Sequence, residues 1–298
     1  MPPLPTRDYR EILHDLEEFE ALLTSLGLRH APQRLKGTIA NIREIEKART
    51  ENRLLSLNTH PRVAELVWSL VEGQELAEVF QALRYYDPQT VKRMMQKALK
   101  GPVYPLDETG ASNEARNTMF ELALAARLRH VGTIPTIGQE ADLVVDDAGA
   151  RLYLECKRPV YEHTIARNVW KARKQLQRRF NADLQSNSVG GLVAISISKA
   201  INPGSNWFMV EHENDLQQLH NDVERIHRQY CSDYDRQIDL RLVGVLYEIL
   251  TPAYVRSSGL IFLASQLEIF FVEPSWQSTF PVSGDSLKQF FRRMGSGS

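Results

Sequence analysis

Three side chains near the middle of this chain have the types and spacing for metal-assisted chemistry on a phosphate. Asp142 is followed thirteen residues later by Glu155, and Lys157 comes two residues after that. In an extended strand, residues two apart project from one face, so Glu155 and Lys157 point together. Leu152, Leu154 and Cys156 alternate with them and point toward an apolar layer. Between the acids, Asp146-Asp147-Ala148-Gly149 has the residues of a tight reversal. Strands at 141–145 and 151–157 are therefore expected to pair as a hairpin that brings Asp142 beside Glu155. Two converging carboxylates suit a hard cation, because Mg²⁺ takes oxygen ligands, keeps several waters and needs only one or two protein carboxylates. Mn²⁺ can substitute. Such an ion acidifies its water, neutralises phosphate charge and orients both partners. Lys157 would position or help deprotonate the attacking water, or stabilise developing charge; the residues alone leave its role open. The plain alternative is a salt-bridge network on an exposed sheet face, since Glu-x-Lys is a common pattern.

A second feature follows immediately. Residues 167–179 are crowded with Lys and Arg. Arg167, Lys171, Lys174 and Arg178 recur at three or four, which makes one stripe on a helix. A solvated face explains such a stripe, and so does contact with nucleic-acid phosphates. Arg158, next to Lys157, is a further candidate for a phosphate. Cys156 reads as core, with no nucleophilic role. Arg127, Arg129 and His130 need only a helix C-terminus to explain them.

Glu140-Ala141-Asp142 followed by Leu154-Glu155-Cys156-Lys157-Arg158-Pro159 resembles the split D…(D/E)-x-K signature of the PD-(D/E)XK, restriction-endonuclease-like nucleases. The proline that precedes the aspartate in that signature is not adjacent here; Pro135 lies further upstream. The resemblance covers about residues 112–198 and rests on motif plus context. It implies a role for a glutamate on the preceding helix, for which Glu121 is the match, with Glu114 explained by the first turn. It also implies a glutamine on the following helix, for which Gln175 is the candidate. The implied catalytic set is Glu121, Asp142, Glu155, Lys157 and Gln175, with Mg²⁺ on Asp142, Glu155 and Glu121. The implied activity is phosphodiester hydrolysis, with DNA ahead of RNA as substrate. A defence or restriction role, a regulatory or defence-system protein partner and pairing of two copies follow by analogy. Two other readings stand beside it. One is a non-catalytic nucleic-acid- or protein-binding module on a nuclease-like scaffold. The other is a regulatory helical protein whose N-terminal half is the working part.

The helices and strands that would carry these residues are legible in outline. Residues 8–100 read as helical: Ile12, Leu16, Phe19, Leu22 and Leu23 recur at helical spacing, and further runs cover 35–55, 63–80 and 88–99. Residues 101–110 hold two prolines and two glycines and read as a linker. Ser112 then caps a helix to about His130, which Gly132 ends. Strands are expected at 141–145, 151–157, 192–198, 242–250 and 260–272, with helices at 165–184, 213–228 and 284–293. The fold class is therefore α/β: an all-helical N-terminal region, 1–105, precedes a mixed sheet flanked by helices, 106–294, of restriction-endonuclease-like type, with a flexible tail at 295–298.

Composition sets the outer bounds. The 298 residues are 43% hydrophobic and 24% charged, with formal net charge -1, so any nucleic-acid contact needs a local basic face. Two cysteines, Cys156 and Cys231, lie far apart, which fits a reducing compartment and gives neither a disulfide framework nor a zinc site. No apolar run is long enough for a membrane span, and residues 1–10 have no apolar signal core. A cytoplasmic protein with no membrane partner is expected. No phosphate-cradling P-loop, dinucleotide glycine fingerprint or G-x-S-x-G elbow is present.

Overall fold

The computed structural model describes residues 9–28, 33–102, 107–109, 113–130, 132–138, 141–147, 150–182, 189–204, 207–231, 241–257 and 260–272. The helix expected at 284–293, the tail at 295–298, Ser112, Glu140 and the turn residues 148–149 lie outside the described residues.

The N-terminal region is helical, as its periodicity predicts: α1 (Tyr9–Ser25), α2 (Gln33–Thr50), α3 (Val63–Leu83) and α4 (Pro88–Ala98). The four- and three-residue spacing in α1 buries Ile12, Leu16, Phe19 and Leu23. α3 is buried on nearly every side, and its interior positions include the polar Glu72, Gln74 and Glu78. Gly73 lets α2 approach α3, because a Cβ there would collide with the Ile42 side chain. Asp87 caps α4: its Oδ1 accepts from Gln89 N at 3.1 Å and Thr90 N at 3.0 Å. Pro88 occupies the first turn, where a missing N–H is no loss. α5 (Glu114–His130) follows. It stops at Gly132, whose φ of 93° is the left-handed conformation that glycine adopts freely, and Thr133 N returns to Leu128 O at 3.1 Å.

The rest is built on one mixed seven-stranded sheet among the described residues. Its strands are β1 (Thr136–Ile137), β2 (Leu143–Asp147), β3 (Ala150–Lys157), β4 (Val189–Ser196), β5 (Phe208–Val210), β6 (Leu242–Val255) and β7 (Leu260–Phe271). Their order is β1-β2-β3-β4-β6, with β5 running parallel to the end of β6 and β7 antiparallel along its length. β2 and β3 form the expected antiparallel hairpin, with Leu143 opposite Leu154. β3 and β4 are parallel, which requires a crossover, and α6 (Ile165–Ala182) supplies it. α7 (Ser198–Ile201) and α8 (Gln217–Cys231) complete the helices.

The sheet is covered on both faces. Leu143, Val145, Leu152, Leu154, Cys156, Leu192 and Ala194 share one core with the apolar faces of α1 to α5. Val144, Tyr153, Val193, Ile195 and Tyr247 share the other with Val169, Leu176 and Phe180 of α6 and with Val223 and Ile226 of α8. Each fully buried side chain of this kind contributes roughly 1.5–3 kcal/mol. α6 sits close on β4 because Gly191 has no Cβ; one would meet the Phe180 ring.

A buried ionic seam joins the N-terminal helices to the sheet. Arg127 does not merely end α5: it is buried, lies 3.2 Å from Glu78 of α3 and pairs with Glu248 of β6. Arg116 reaches Glu72 at 2.8 Å, and Glu72 also pairs with Arg34. Arg34 Nη1 donates to Ala98 O at 2.7 Å. Glu108 lies in the stretch that reads as a linker, yet it is buried and pairs with Arg158. Among the described residues, no helix is long and apolar enough to cross a membrane.

Candidate functional site

Asp142 occupies a bend at the entrance to β2, where Gly138 N donates to its carbonyl at 3.0 Å. The β2–β3 register, continued one step past Leu143 and Leu154, sets Asp142 across from Glu155. Its side chain turns onto β3. Asp142 Oδ2 accepts from Cys156 N at 2.7 Å and from Lys157 Nζ at 3.2 Å. Lys157 Nζ also donates to Glu155 Oε2 at 3.4 Å and to Cys156 O at 2.9 Å. The three residues singled out by type and spacing therefore meet. Cys156, between them in sequence, points into the core of the opposite face.

Glu155 is the most enclosed member, with its side chain 1% exposed. Its Oε1 is buried and accepts no hydrogen bond. Arg179 Nε of α6 stands 4.0 Å from that oxygen, beyond hydrogen-bond reach. Burial, and next the Asp142 carboxylate, push the Glu155 carboxyl up to about 7 against the pull of Lys157 and Arg179. Burial disfavours the Lys157 ammonium, but Asp142 and Glu155 outweigh it, so the pKa of Lys157 is raised.

Glu121 joins the cluster from α5. Burial, and next the charge of Asp142, raise its carboxyl to about 8 against the pull of Lys97 and Lys157. Two carboxylates thus contact one ammonium, and the Glu121 carboxyl is near enough to feel them. One oxygen of Glu155 is left without a hydrogen-bond donor. An unmet carboxylate oxygen beside a second carboxylate fits a divalent cation. Among the described residues, no group of three or more His, Cys, Asp or Glu side chains is assembled to hold a metal ion. Magnesium does not need three, and Asp142 with Glu155 supplies the usual number of protein carboxylates.

The remaining expectations divide. Gln175 is half-buried on α6, one helical turn before Arg179, and so lies on the flank that faces Glu155. Arg179 itself was not picked out by the motif. Its position four residues after Gln175 is the signal that finds it. Arg158 is a correction: it is 7% exposed and paired with Glu108, while Asn113 Nδ2 holds its carbonyl at 3.3 Å. It belongs to the buried ionic seam and is not presented to a phosphate. Arg167, Lys171, Lys174 and Arg178 are all exposed. They lie opposite the buried line Ile165, Val169, Ala172, Leu176 and Phe180. At 3.6 residues per turn, Lys171 and Arg178 border the Gln175–Arg179 flank, and the stripe as a whole faces outward.

Compared with known proteins, the chain matches no family model, no curated sequence and no solved structure.

Proposed function

We propose that this chain is a divalent-metal-dependent nuclease of restriction-endonuclease-like architecture that hydrolyses phosphodiesters, DNA before RNA. The observation that carries the reading is the double engagement of Asp142. Its Oδ2 receives both the Cys156 amide and the Lys157 ammonium, so two acids and an amine from paired strands share one small volume. The surrounding order supports it: a helix bearing Glu121, a hairpin bearing the acids and the lysine, a helix bearing Gln175 and Arg179, then a parallel strand.

Asp142 and Glu155 would hold Mg²⁺ or Mn²⁺, and a bound cation would draw the nearby Glu121 carboxyl toward its ionised form. When bound, the ion supplies Lewis-acid neutralisation of the phosphate and a more acidic water. The protein groups divide the other tasks. The Cys156 amide fixes Asp142 in its orientation. Lys157 is held as an ammonium by two carboxylates, and an ammonium cannot accept a proton. Its task is therefore to orient the attacking water and to offset charge that builds on the phosphate. Arg179, half-exposed beside Glu155, provides a permanent cation where the substrate would enter.

The test is a panel of supercoiled plasmid, linear duplex, single strand and RNA, each incubated with Mg²⁺ or Mn²⁺. Cleavage that EDTA abolishes and that Lys157→Ala lacks is the expected result. Folded protein that cuts none of the substrates with either ion would overturn the proposal.

A further inference from the structure

We propose that the outer face of α6 binds single-stranded nucleic acid, with Trp170 as a platform on which an unpaired base stacks. This rests on the nuclease reading for its biological sense and narrows the substrate class of that site.

α6 carries six Lys and Arg and no Asp or Glu in 18 residues, although the chain as a whole has a formal net charge of -1. Several exposed arginines elsewhere are matched to acids, Arg43 to Glu17 at 2.7 Å, Arg84 to Glu18 at 3.1 Å and Arg225 to Glu162 at 2.6 Å, while Arg93 and Arg256 stand singly among the described residues. Among the described residues, Arg167, Lys171, Lys174 and Arg178 have no carboxylate partner. α8, by contrast, carries a compensating acid at helical spacing, with Arg228 and Glu224 at 2.8 Å.

Trp170 lies within this cationic face and is 54% exposed. Lys174 Nζ sits 3.8 Å from its ring centroid, so the indole is already next to a phosphate-binding charge. A second aromatic pair stands four residues after Lys157: Tyr161 is 47% exposed and its ring is stacked on His163 at 5.6 Å. Around the helix, Gln175 and Arg179 face the acid cluster, then come Lys171 and Arg178, then Lys174, and Trp170 lies furthest from the cluster. A strand crossing α6 would meet cations first and an aromatic face last.

Charge alone would attract duplex and single strand alike. An exposed indole discriminates, because bases in a duplex stack on one another and offer it no face, whereas an unpaired base does. That complementarity favours the single strand over an acidic protein, which would use the cations and leave the rings idle.

The experiment measures binding of a labelled oligothymidine, its duplex and a polyglutamate peptide to the full chain in EDTA. Wild type should bind the single strand about tenfold more tightly than the duplex, with quenching of tryptophan fluorescence. Trp170→Ala should lose most of that preference and the quench, Trp170→Phe should recover the preference, and duplex affinity should not change. Equal affinity for both forms, an unaffected Trp170→Ala variant, or displacement of the oligonucleotide by polyglutamate at equal charge would overturn the proposal. EDTA separates the two ideas. Intact stacking without cleavage in metal would count against the nuclease reading alone, and cleavage without stacking against this one alone.

Discussion

Lys157 donates to Asp142 and Glu155 at once, and the Glu121 carboxyl of α5 lies within reach of their charge. Such crowding has two consequences at the residue scale. Replacing the ammonium with an apolar chain of similar length, Lys157→Met, is expected to lower kcat by about 10²–10³, the usual effect of deleting one group that stabilises developing charge; single-turnover cleavage and a circular dichroism spectrum check it. The second concerns pH. Glu121 and Glu155 titrate in the folded chain at about 8 and about 7, both raised from 4.5. The folded state therefore holds protons that the unfolded chain has lost, and metal-free stability falls as pH rises from about 4.5 to about 8. Glu75 acts in the same sense. Thermal melts of wild type against Glu121→Gln isolate the cluster's share: the variant should show a flatter decline, and an identical slope would contradict the assignment. The trio was legible because strand alternation and a short hairpin are local properties. Arg179 and Arg158 were not, because which helical face meets β3, and what packs beneath it, are decided by tertiary contacts.

Among the elements, α6 does the most: it makes the β3–β4 crossover, seals one core with Val169, Leu176 and Phe180, and turns its cations outward. If the stripe tracks phosphates, each cation contributes about 0.7 to the salt slope of single-strand binding. Lys171→Ala with Lys174→Ala should then flatten the slope by about 1.4, measured by anisotropy across a salt series; an unchanged slope would remove both from the contact. Most elements could be read from periodicity, as with α1 and α5, or from punctuation, as with Gly132. α3 shows what periodicity misses. A helix buried on nearly every side has no polar stripe to mark which faces meet which neighbours, and its glutamates lie in the interior. Gly191 in β4 was visible as a letter, but its use, admitting Phe180, needed the partner helix.

At the scale of the whole molecule, the N-terminal helices and the sheet share one apolar core and one ionic seam. The α/β class and the helical start were legible from the order of elements. The seam was not, because its partners are distant in the chain: Arg127 joins Glu78 and Glu248. Arg127→Ala would leave those two carboxylates buried without a counter-charge, which should cost about 3–5 kcal/mol in chemical denaturation. Arg158 takes part in the seam directly after Lys157, so the seam and the site depend on adjacent residues at the end of β3. Calorimetric titration of Mn²⁺ into the metal-free protein, wild type beside Asp142→Asn and Glu155→Gln, reads the proposed cation site without depending on cleavage. Saturable binding is expected in the wild type, and either substitution should abolish it. Absence of binding in the wild type, or binding that survives both substitutions, would contradict that site.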